Sequence, residues 1–237
     1  MDRLDALVAH VETVGKRMVA CKRQCQGIAR HPEEGILPRG LVLDVDGRRE
    51  DRGCVIVGIN PGHASHRARE YHIANDLSYD SVVADWRNHN ADWAYYPKLR
   101  QLADALGLTG PILWTEIVKC ESAVANDLPP LQTIRVCTNA CLAEELRLAP
   151  SEWPLLAVGR LTYRTLAYGQ PGRPVIGVPH PTGSRGQFAR LFADGQLRRE
   201  FREVADSLWD GDTGRAVWLP EEETMQPERG TVGREAN

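Results

Sequence analysis

The chain has 237 residues and a formal net charge of −3, with 42% hydrophobic and 26% charged residues. This composition is typical of a globular protein, and the length fits one sizeable α/β domain. The charge excludes a uniformly basic nucleic-acid binder, so any nucleic-acid contact has to come from a local patch. No apolar run reaches the ~20 residues of a membrane helix, and the N-terminus lacks the features of a secretory signal. We therefore expect a cytoplasmic, monomeric protein that does not bind membranes.

Apolar residues at helical spacing predict an amphipathic helix over 3–20, and a strand entering a turn is predicted over 41–47. Apolar, β-branched runs predict four core strands, at 54–59, 111–120, 155–159 and 174–178. Helices are predicted at 95–107, 130–148, 161–168 and 186–208, and the polar stretch 63–90 mixes helix and loop. Alternating strands and helices predict an α/β fold, a three-layer α/β/α arrangement around a mostly parallel four-stranded sheet. We expect a single domain over 1–219 and a disordered, Glu-rich tail over 220–237.

Two of the predicted strands end abruptly at Gly and Pro, and a polar side chain stands at each end. Asn60 follows the strand at 54–59 in the sequence Gly-Ile-Asn-Pro-Gly, and His180 follows the strand at 174–178 in Pro-His-Pro-Thr-Gly. In an open α/β sheet, ligands bind in the crevice beyond the carboxyl ends of the strands. The two loops therefore predict an enzyme site that combines an amide with an imidazole.

The cysteines fall into a pattern that core packing alone does not require. Cys54 opens a core strand and reads as a small buried hydrophobe. The other five form two groups, at 21–25 and at 120–141. Four thiolates from two distant segments can close one sulfur site, which suits zinc or an iron–sulfur cluster. The alternative is a set of scattered buried thiols.

Several features occur in a fixed order along the chain. They are a cysteine pair, the loop at 58–62, the run Thr-Glu-Ile-Val-Lys-Cys at 115–120, Cys137, Val-Gly-Arg at 158–160 and His-Pro-Thr at 180–182. In this ordered set the chain resembles the uracil-DNA glycosylase superfamily, especially its iron–sulfur branch, from about residue 21 to about residue 208. The resemblance implies a monofunctional DNA glycosylase, which flips a pyrimidine nucleotide and hydrolyses its N-glycosidic bond to leave an abasic site.

In that branch, four cysteines hold a [4Fe–4S] cluster. The resemblance implies that the ligands here are Cys21, Cys25, Cys120 and Cys137. The first pair of the family is usually Cys-x2-Cys, whereas this chain has Cys-x3-Cys. Cys141 lies one helical turn from Cys137 and is an alternative fourth ligand, and zinc is the alternative metal.

The resemblance also implies roles for the two loops. Asn60 would position the attacking water, and His180 would hydrogen-bond the pyrimidine O2 and stabilise the departing base. A turn-forming Asn and a loop His are the alternatives. Contacts to the base are expected from Gly58, Ile59, Glu116 and Tyr71. The loop residues Thr182, Gly183, Ser184 and Arg185 are expected to bind DNA in the minor groove and to support the flipped nucleotide.

Glu116 departs from the family, which usually has Asn at this place to read the uracil edge. An ionised carboxylate only accepts hydrogen bonds, so it would face uracil O4 at a cost of roughly 1–3 kcal/mol. Cytosine presents an amino donor instead, and a protonated Glu116 would also donate to N3. Because excision of ordinary cytosine would be toxic, we expect a cytosine with a bulky 5-substituent, such as the glucosylated hydroxymethylcytosine of phage DNA. The polar stretch 63–90 is then a candidate contact for the substituent, and the role would be anti-phage defence.

Three other interpretations remain open. The chain could be a uracil-DNA glycosylase of base excision repair, if Glu116 faces away from the base. It could be a non-catalytic iron–sulfur DNA-binding module, which would need neither Asn60 nor His180. It could also be a small-molecule hydrolase with a structural zinc.

Overall fold

The structure is a computed structural model that describes residues 3–45, 48, 52–170, 172–209 and 216–219. The α-helices are α1 (Arg3–Val19), α2 (His66–Ala74), α3 (Tyr79–Asp85), α4 (Tyr95–Ala105), α5 (Leu131–Cys137), α6 (Ala143–Leu148), α7 (Arg160–Gly169) and α8 (Arg199–Trp209). The strands are β1 (Ile28–Ala29), β2 (Val42–Asp44), β3 (Cys54–Gly58), β4 (Ile112–Glu116), β5 (Glu121–Ser122), β6 (Leu155–Val158), β7 (Val175–Val178), β8 (Phe192–Ala193), β9 (Gln196–Leu197) and β10 (Ala216–Trp218).

The central sheet is mixed and has the strand order β10-β7-β6-β3-β4-β2. All neighbours in it are parallel except β2, which pairs antiparallel with β4. Successive residues of β3 point to opposite faces, so Val55 and Val57 pack in one hydrophobic cluster while Cys54 and Ile56 pack in the other. Helices cover both faces, as a sheet with two apolar faces requires, and this is compatible with the predicted three-layer order.

The prediction of a four-stranded sheet was wrong, because the sheet has six strands. The four predicted core strands are present as β3, β4, β6 and β7, and the two additional strands lie at the edges. One of them, β2, was predicted as a strand but not placed in the sheet. The other, β10, has only three residues, too few for a periodic signal, and is fixed by tertiary contact: its Trp218 packs against Tyr163 with ring centroids 5.5 Å apart.

The predicted helix over 186–208 was also wrong in its first half. A 3-10 turn (Gln187–Leu191) and the hairpin of β8 and β9 precede α8. The hairpin turns at Asp194 and Gly195, whose φ angles are 51° and 77°. An Asp-Gly pair at two positions of positive φ is the preferred two-residue hairpin turn, and this local preference outweighs the helical spacing of the apolar residues around it.

Two helical stretches contain π segments. The predicted helix over 130–148 is present as α5, a π segment (Thr138–Leu142) and α6, and a second π segment (Trp86–Asn90) follows α3. Such segments are rare in proteins, and those that occur are often found at functional sites. No helix in the described ranges is both long and apolar enough to cross a membrane. The tail predicted to be disordered, 220–237, lies outside the described residues.

Candidate active site

A pocket of about 310 Å³ opens beyond the carboxyl ends of β3, β4 and β7. Gly58, Ile59, Asn60, Glu116, His180 and Thr182 all line it. Parallel strands end at the same edge of the sheet, which is why side chains far apart in the sequence meet here. The volume is within the range of pockets that enclose small-molecule ligands.

The orientation of the Asn60 amide is fixed by Ser122. The Ser122 hydroxyl donates to Asp127 O at 2.6 Å, so its oxygen is left to accept from Asn60 Nδ2 at 3.1 Å. Asn60 Nδ2 also donates to Pro61 O at 3.3 Å. Within the described residues, Asn60 forms hydrogen bonds only through this nitrogen. Its Oδ1 is therefore available as an acceptor for a water molecule.

The loop that carries Asn60 is anchored by a buried carboxylate. Glu121 is 1% exposed and accepts from the Ala64 amide at 2.8 Å, from Arg39 at 2.6 Å and from Arg69 at 3.4 Å. Arg39 also donates to Gly62 O. Because Glu121 directly precedes Ser122, the two-residue strand β5 supports the loop through both of its side chains.

The loop after β7 holds the His180 ring in one tautomer. The Thr182 amide donates to His180 Nδ1 at 3.3 Å, so Nδ1 is the acceptor and Nε2 carries the proton. Ser184 donates to His180 O at 2.7 Å, and Lys98 donates to Pro181 O at 3.1 Å. Desolvation lowers the pKa of His180. The ring is therefore a neutral donor at Nε2.

Aromatic side chains form one wall of the pocket. Tyr95 lies 5.2 Å from the His180 ring and 5.1 Å from Tyr96, and Tyr96 lies 5.0 Å from Trp114 (distances between ring centroids). Burial raises the pKa of Tyr95 and raises that of Tyr96 to about 12. Both phenols stay neutral, and the wall offers flat apolar surface suited to stacking against a planar ligand.

The Glu116 carboxyl group lies at the end of β4, between the backbones of Gly40 and Gly58. A Cβ atom at Gly40 would stand 2.6 Å from Glu116 Cγ, and a Cβ atom at Gly58 would overlap the carboxyl oxygens. Glycine is needed at both positions so that the carboxyl group fits. Desolvation raises the pKa of Glu116 from 4.5 to about 8, although Lys119 and Arg39 oppose the change. The group is therefore mostly protonated at neutral pH and can both donate and accept.

A buried ion pair packs against the end of β4. Lys119 Nζ lies 2.6 Å from Glu145 Oε2 and donates to the Thr115 hydroxyl and to Glu116 O. Thr115 donates to Glu145 at 2.5 Å. Lys119 is 2% and Glu145 0% exposed. Removal of either partner would leave an uncompensated buried charge.

The five grouped cysteines line one small cavity that is separate from the Asn60 pocket. They are Cys21 and Cys25 after α1, Cys120 before β5, and Cys137 and Cys141 on α5 and its π segment. A hydrogen bond with Cys141 lowers the pKa of Cys137 and raises that of Cys141. Burial and the neighbouring sulfurs raise the pKa of Cys25 and of Cys120, the latter to about 12. The predicted cysteines are therefore neighbours in space.

Zinc and iron–sulfur clusters are both bound by cysteine thiolates, and they differ in the sulfur separations that they need. A tetrahedral zinc with Zn–S bonds of about 2.3 Å would bring its sulfurs to about 3.8 Å from one another. Within the described part of the chain, no three cysteine sulfurs lie within 4.8 Å of one another. A [4Fe–4S] cluster is larger and needs wider separations. The five cysteines around this cavity provide the four thiolates that either group would need.

Some predicted site residues lie outside the pocket. Tyr71 does not line it and packs edge-on against His89 at 6.1 Å between ring centroids. Gly183, Ser184 and Arg185 stand on the surface loop beyond Thr182, where Arg185 is exposed and has a φ of 49°. Their predicted contacts with base or DNA stay predictions.

Sequence reasoning missed several residues of the pocket. They are Tyr95 and Tyr96 at the start of α4, Trp114 on β4, and His72, Asp85 and Trp86 on α2, α3 and the π segment. The polar stretch 63–90 was expected to contact a ligand, but no periodicity indicated which of its residues are buried. A comparison with family models and with curated proteins found no match to this chain.

Proposed function

We propose that the chain is a monofunctional DNA glycosylase, which hydrolyses the N-glycosidic bond of a flipped pyrimidine nucleotide. The observation that carries this proposal is that Asn60, with its Oδ1 free to accept, His180, neutral with its proton on Nε2, and Glu116 line one pocket. An acceptor for water, a donor for a developing anion and a group able to pair with a base edge are what this hydrolysis requires.

Each of the two loop residues has one task in this mechanism. Asn60 Oδ1 accepts a hydrogen bond from a water molecule and orients it toward the sugar C1′. An amide is a weak base, so bond breaking has to run ahead of attack. The base departs as an anion, and His180 Nε2–H donates to its O2 while the charge develops. The water oxygen then bonds to C1′, and the proton that it loses neutralises the departed base. Because His180 is already neutral with its proton on Nε2, no reorganisation is needed as the bond breaks.

Glu116 recognises the base edge in the protonated state. Its O–H donates to cytosine N3 while its other oxygen accepts from the cytosine amino group. The same acid pairs with uracil when the proton sits on the other oxygen, so that it donates to O4 and accepts from N3–H. Protonation of Glu116 therefore admits either base, and this is the observation that keeps a uracil-DNA glycosylase of repair as the second candidate.

We favour a modified cytosine, such as glucosylated hydroxymethylcytosine of phage DNA, and hence a role in anti-phage defence. Selection has to come from another part of the pocket than Glu116. The same pocket is also lined by His72 on α2, Asp85 on α3 and Asn90 on the π segment that follows α3. A group carried at position 5 of the base would occupy this part of the pocket.

The cysteine cavity would hold a [4Fe–4S] cluster through Cys21, Cys25, Cys120 and Cys137. Such a cluster would cross-link α5 and the segments next to α1 and β5, and so add to folding stability. The Lys119 amide donates to Cys137 Sγ at 3.4 Å, a contact typical of a ligand thiolate.

The fourth ligand is tested by two variants of purified protein. We expect iron and the absorbance near ~400 nm to be lost in Cys137→Ala and kept in Cys141→Ala. A colourless protein with one zinc would contradict the cluster assignment, and iron loss only in Cys141→Ala would reverse the choice of ligand.

The proposed function is tested by base release from matched DNAs that contain uracil, cytosine, hydroxymethylcytosine or glucosylated hydroxymethylcytosine, with alkaline cleavage of abasic sites. We expect release from the modified cytosines and a loss of release in Asn60→Ala. Release mainly from uracil would favour the repair enzyme. No release from any of the four DNAs, with DNA binding retained, would favour the non-catalytic DNA-binding module.

A further inference from the structure

Residues of α2, α3 and the π segment that follows α3 line one part of the pocket, which we call the side chamber. The chamber is lined by His72, Asp85, Trp86 and Asn90. His72 is 1% and Asp85 3% exposed, although both are polar. Buried polar groups are normally fully hydrogen-bonded, so an unpaired one next to a pocket indicates a missing partner.

His72 has such an unpaired atom. Its Nδ1 donates to Gly35 O at 3.1 Å, which leaves Nε2 as the acceptor of the ring. Burial lowers the pKa of His72, so the ring stays neutral and Nε2 keeps its lone pair. Among the described residues, Nε2 is buried and has no hydrogen-bond partner. A ligand that donates a hydrogen bond would satisfy it.

Asp85, which lines the same pocket, adds a second acceptor. Its Oδ2 accepts from Asn90 Nδ2 at 2.8 Å, whereas Oδ1 makes no hydrogen bond within the described residues. The Arg67 guanidinium lies 3.9 Å from Oδ1 and partly balances the charge of the carboxylate; His89 Nδ1, which also lacks a hydrogen-bond partner among the described residues, lies 3.2 Å from Oδ1. Two buried acceptors with a partly balanced charge suit a neutral hydrogen-bond donor such as a hydroxyl group. A methyl group would leave them unpaired, and an anion would be repelled.

We propose that this chamber is the specificity site of the enzyme and that it binds a hydroxyl-bearing substituent at position 5 of the flipped pyrimidine, with His72 Nε2 and Asp85 Oδ1 as the acceptors. The inference rests on the proposed function, because it places the base beside Glu116. In this inference the enzyme selects its substrate by the substituent at position 5, because the protonated Glu116 pairs with cytosine and uracil alike. Hydroxymethyl and sugar hydroxyls share this chemistry, and a 5-methyl group lacks it.

The test compares DNAs that carry 5-methylcytosine or 5-hydroxymethylcytosine, which differ by one hydroxyl group. For the wild type, we expect the hydroxymethyl base to be released about tenfold faster, a preference typical of one hydrogen bond to a buried acceptor. A third DNA with the glucosylated base shows whether sugar hydroxyls reach the same acceptors.

Variants assign the preference to the chamber. His72→Asn keeps a donor for Gly35 O and removes the acceptor at Nε2, and Asp85→Asn keeps the shape of the carboxylate. We expect that, in both variants, the ratio of the release rate of 5-hydroxymethylcytosine to that of 5-methylcytosine falls toward one. His66→Asn, an exposed histidine on the same helix, is the matched control and should keep the ratio. Thermal unfolding verifies that each variant is folded.

The outcomes separate the inference from the proposed function. Equal release of both bases by the wild type, or an unchanged ratio in folded His72→Asn and Asp85→Asn, overturns the inference and leaves the glycosylase standing. If no base is released, the binding affinity of the wild type for the two DNAs is compared instead. Tighter binding of the hydroxymethyl DNA by the wild type, lost in His72→Asn, would support the side chamber as a specificity site even though the proposed glycosylase activity fails. Equal binding of the two DNAs would overturn both the inference and the proposed function.

Discussion

Replacement of Glu116 by Gln is expected to stabilise the protein, and by an amount that depends on pH. The folded protein holds the proton of this carboxyl up to about pH 8, whereas the unfolded chain releases it near pH 4.5. Stability therefore decreases as pH rises through that window. From these two pKa values, the wild-type carboxyl costs the folded state about 1 kcal/mol at pH 5 and roughly 3 kcal/mol at pH 7. Gln has the same shape and no proton to lose, so the variant avoids the cost.

The assay is urea unfolding of wild type and Glu116→Gln at several pH values between 5 and 8. We expect the difference in free energy of unfolding to grow with pH by about 2 kcal/mol between pH 5 and pH 7. Glu203→Gln, an exposed carboxylate on α8, is the control and should change stability by less than about 0.5 kcal/mol. A difference that does not vary with pH would refute the view that Glu116 is desolvated and protonated.

Three further predictions concern the site and its support. Ser122→Ala removes the acceptor that orients the Asn60 amide, so we expect kcat for base release to fall about tenfold with DNA affinity unchanged; an unchanged kcat would contradict the role of Ser122. Replacing Lys119 by Met leaves Glu145 buried without its partner, and we expect a loss of about 3–5 kcal/mol in urea unfolding; a loss below about 1 kcal/mol would mean that water reaches the pair. The rate of base release is expected to fall above about pH 8 as Glu116 loses its proton, and a rate that rises through this range in a pH profile would show that the ionised form is the active one.

The sequence predicted the part of the site that lies next to strand ends. Three of its residues stand at or just after the end of a buried strand: Asn60, Glu116 and His180. Parallel strands bring such positions to the same edge of the sheet, and this does not depend on the conformation of the segments between them. The acceptors of the side chamber did not stand out, because His72 and Asp85 lie in a polar stretch without periodicity and are buried only by tertiary packing. Hydrophobic spacing predicts which face of an element is buried, but it does not show which polar residues the fold will enclose.

Local turn chemistry explains the largest error in the fold. The sequence around Asp194 and Gly195 carries a strong hairpin signal, and the helical spacing of apolar residues on either side concealed it. The grouping of the cysteines in the sequence predicted one shared site, and the five do line one cavity, whereas the metal stays a prediction. Cys137 and Cys141 are placed by α5 and its π segment (Thr138–Leu142), and Cys120 by the loop before β5, which residue spacing alone did not predict.

The central claim is that water attacks the sugar of a flipped nucleotide in the pocket between Asn60 and His180. The most direct test is the reaction of hydroxymethylcytosine DNA in ¹⁸O-labelled water, with mass analysis of both products. The account predicts a free base without label together with an abasic site in the DNA, and neither product from Asn60→Ala. Label in the base, as in a deamination, or intact DNA after prolonged incubation with folded wild-type protein would contradict it.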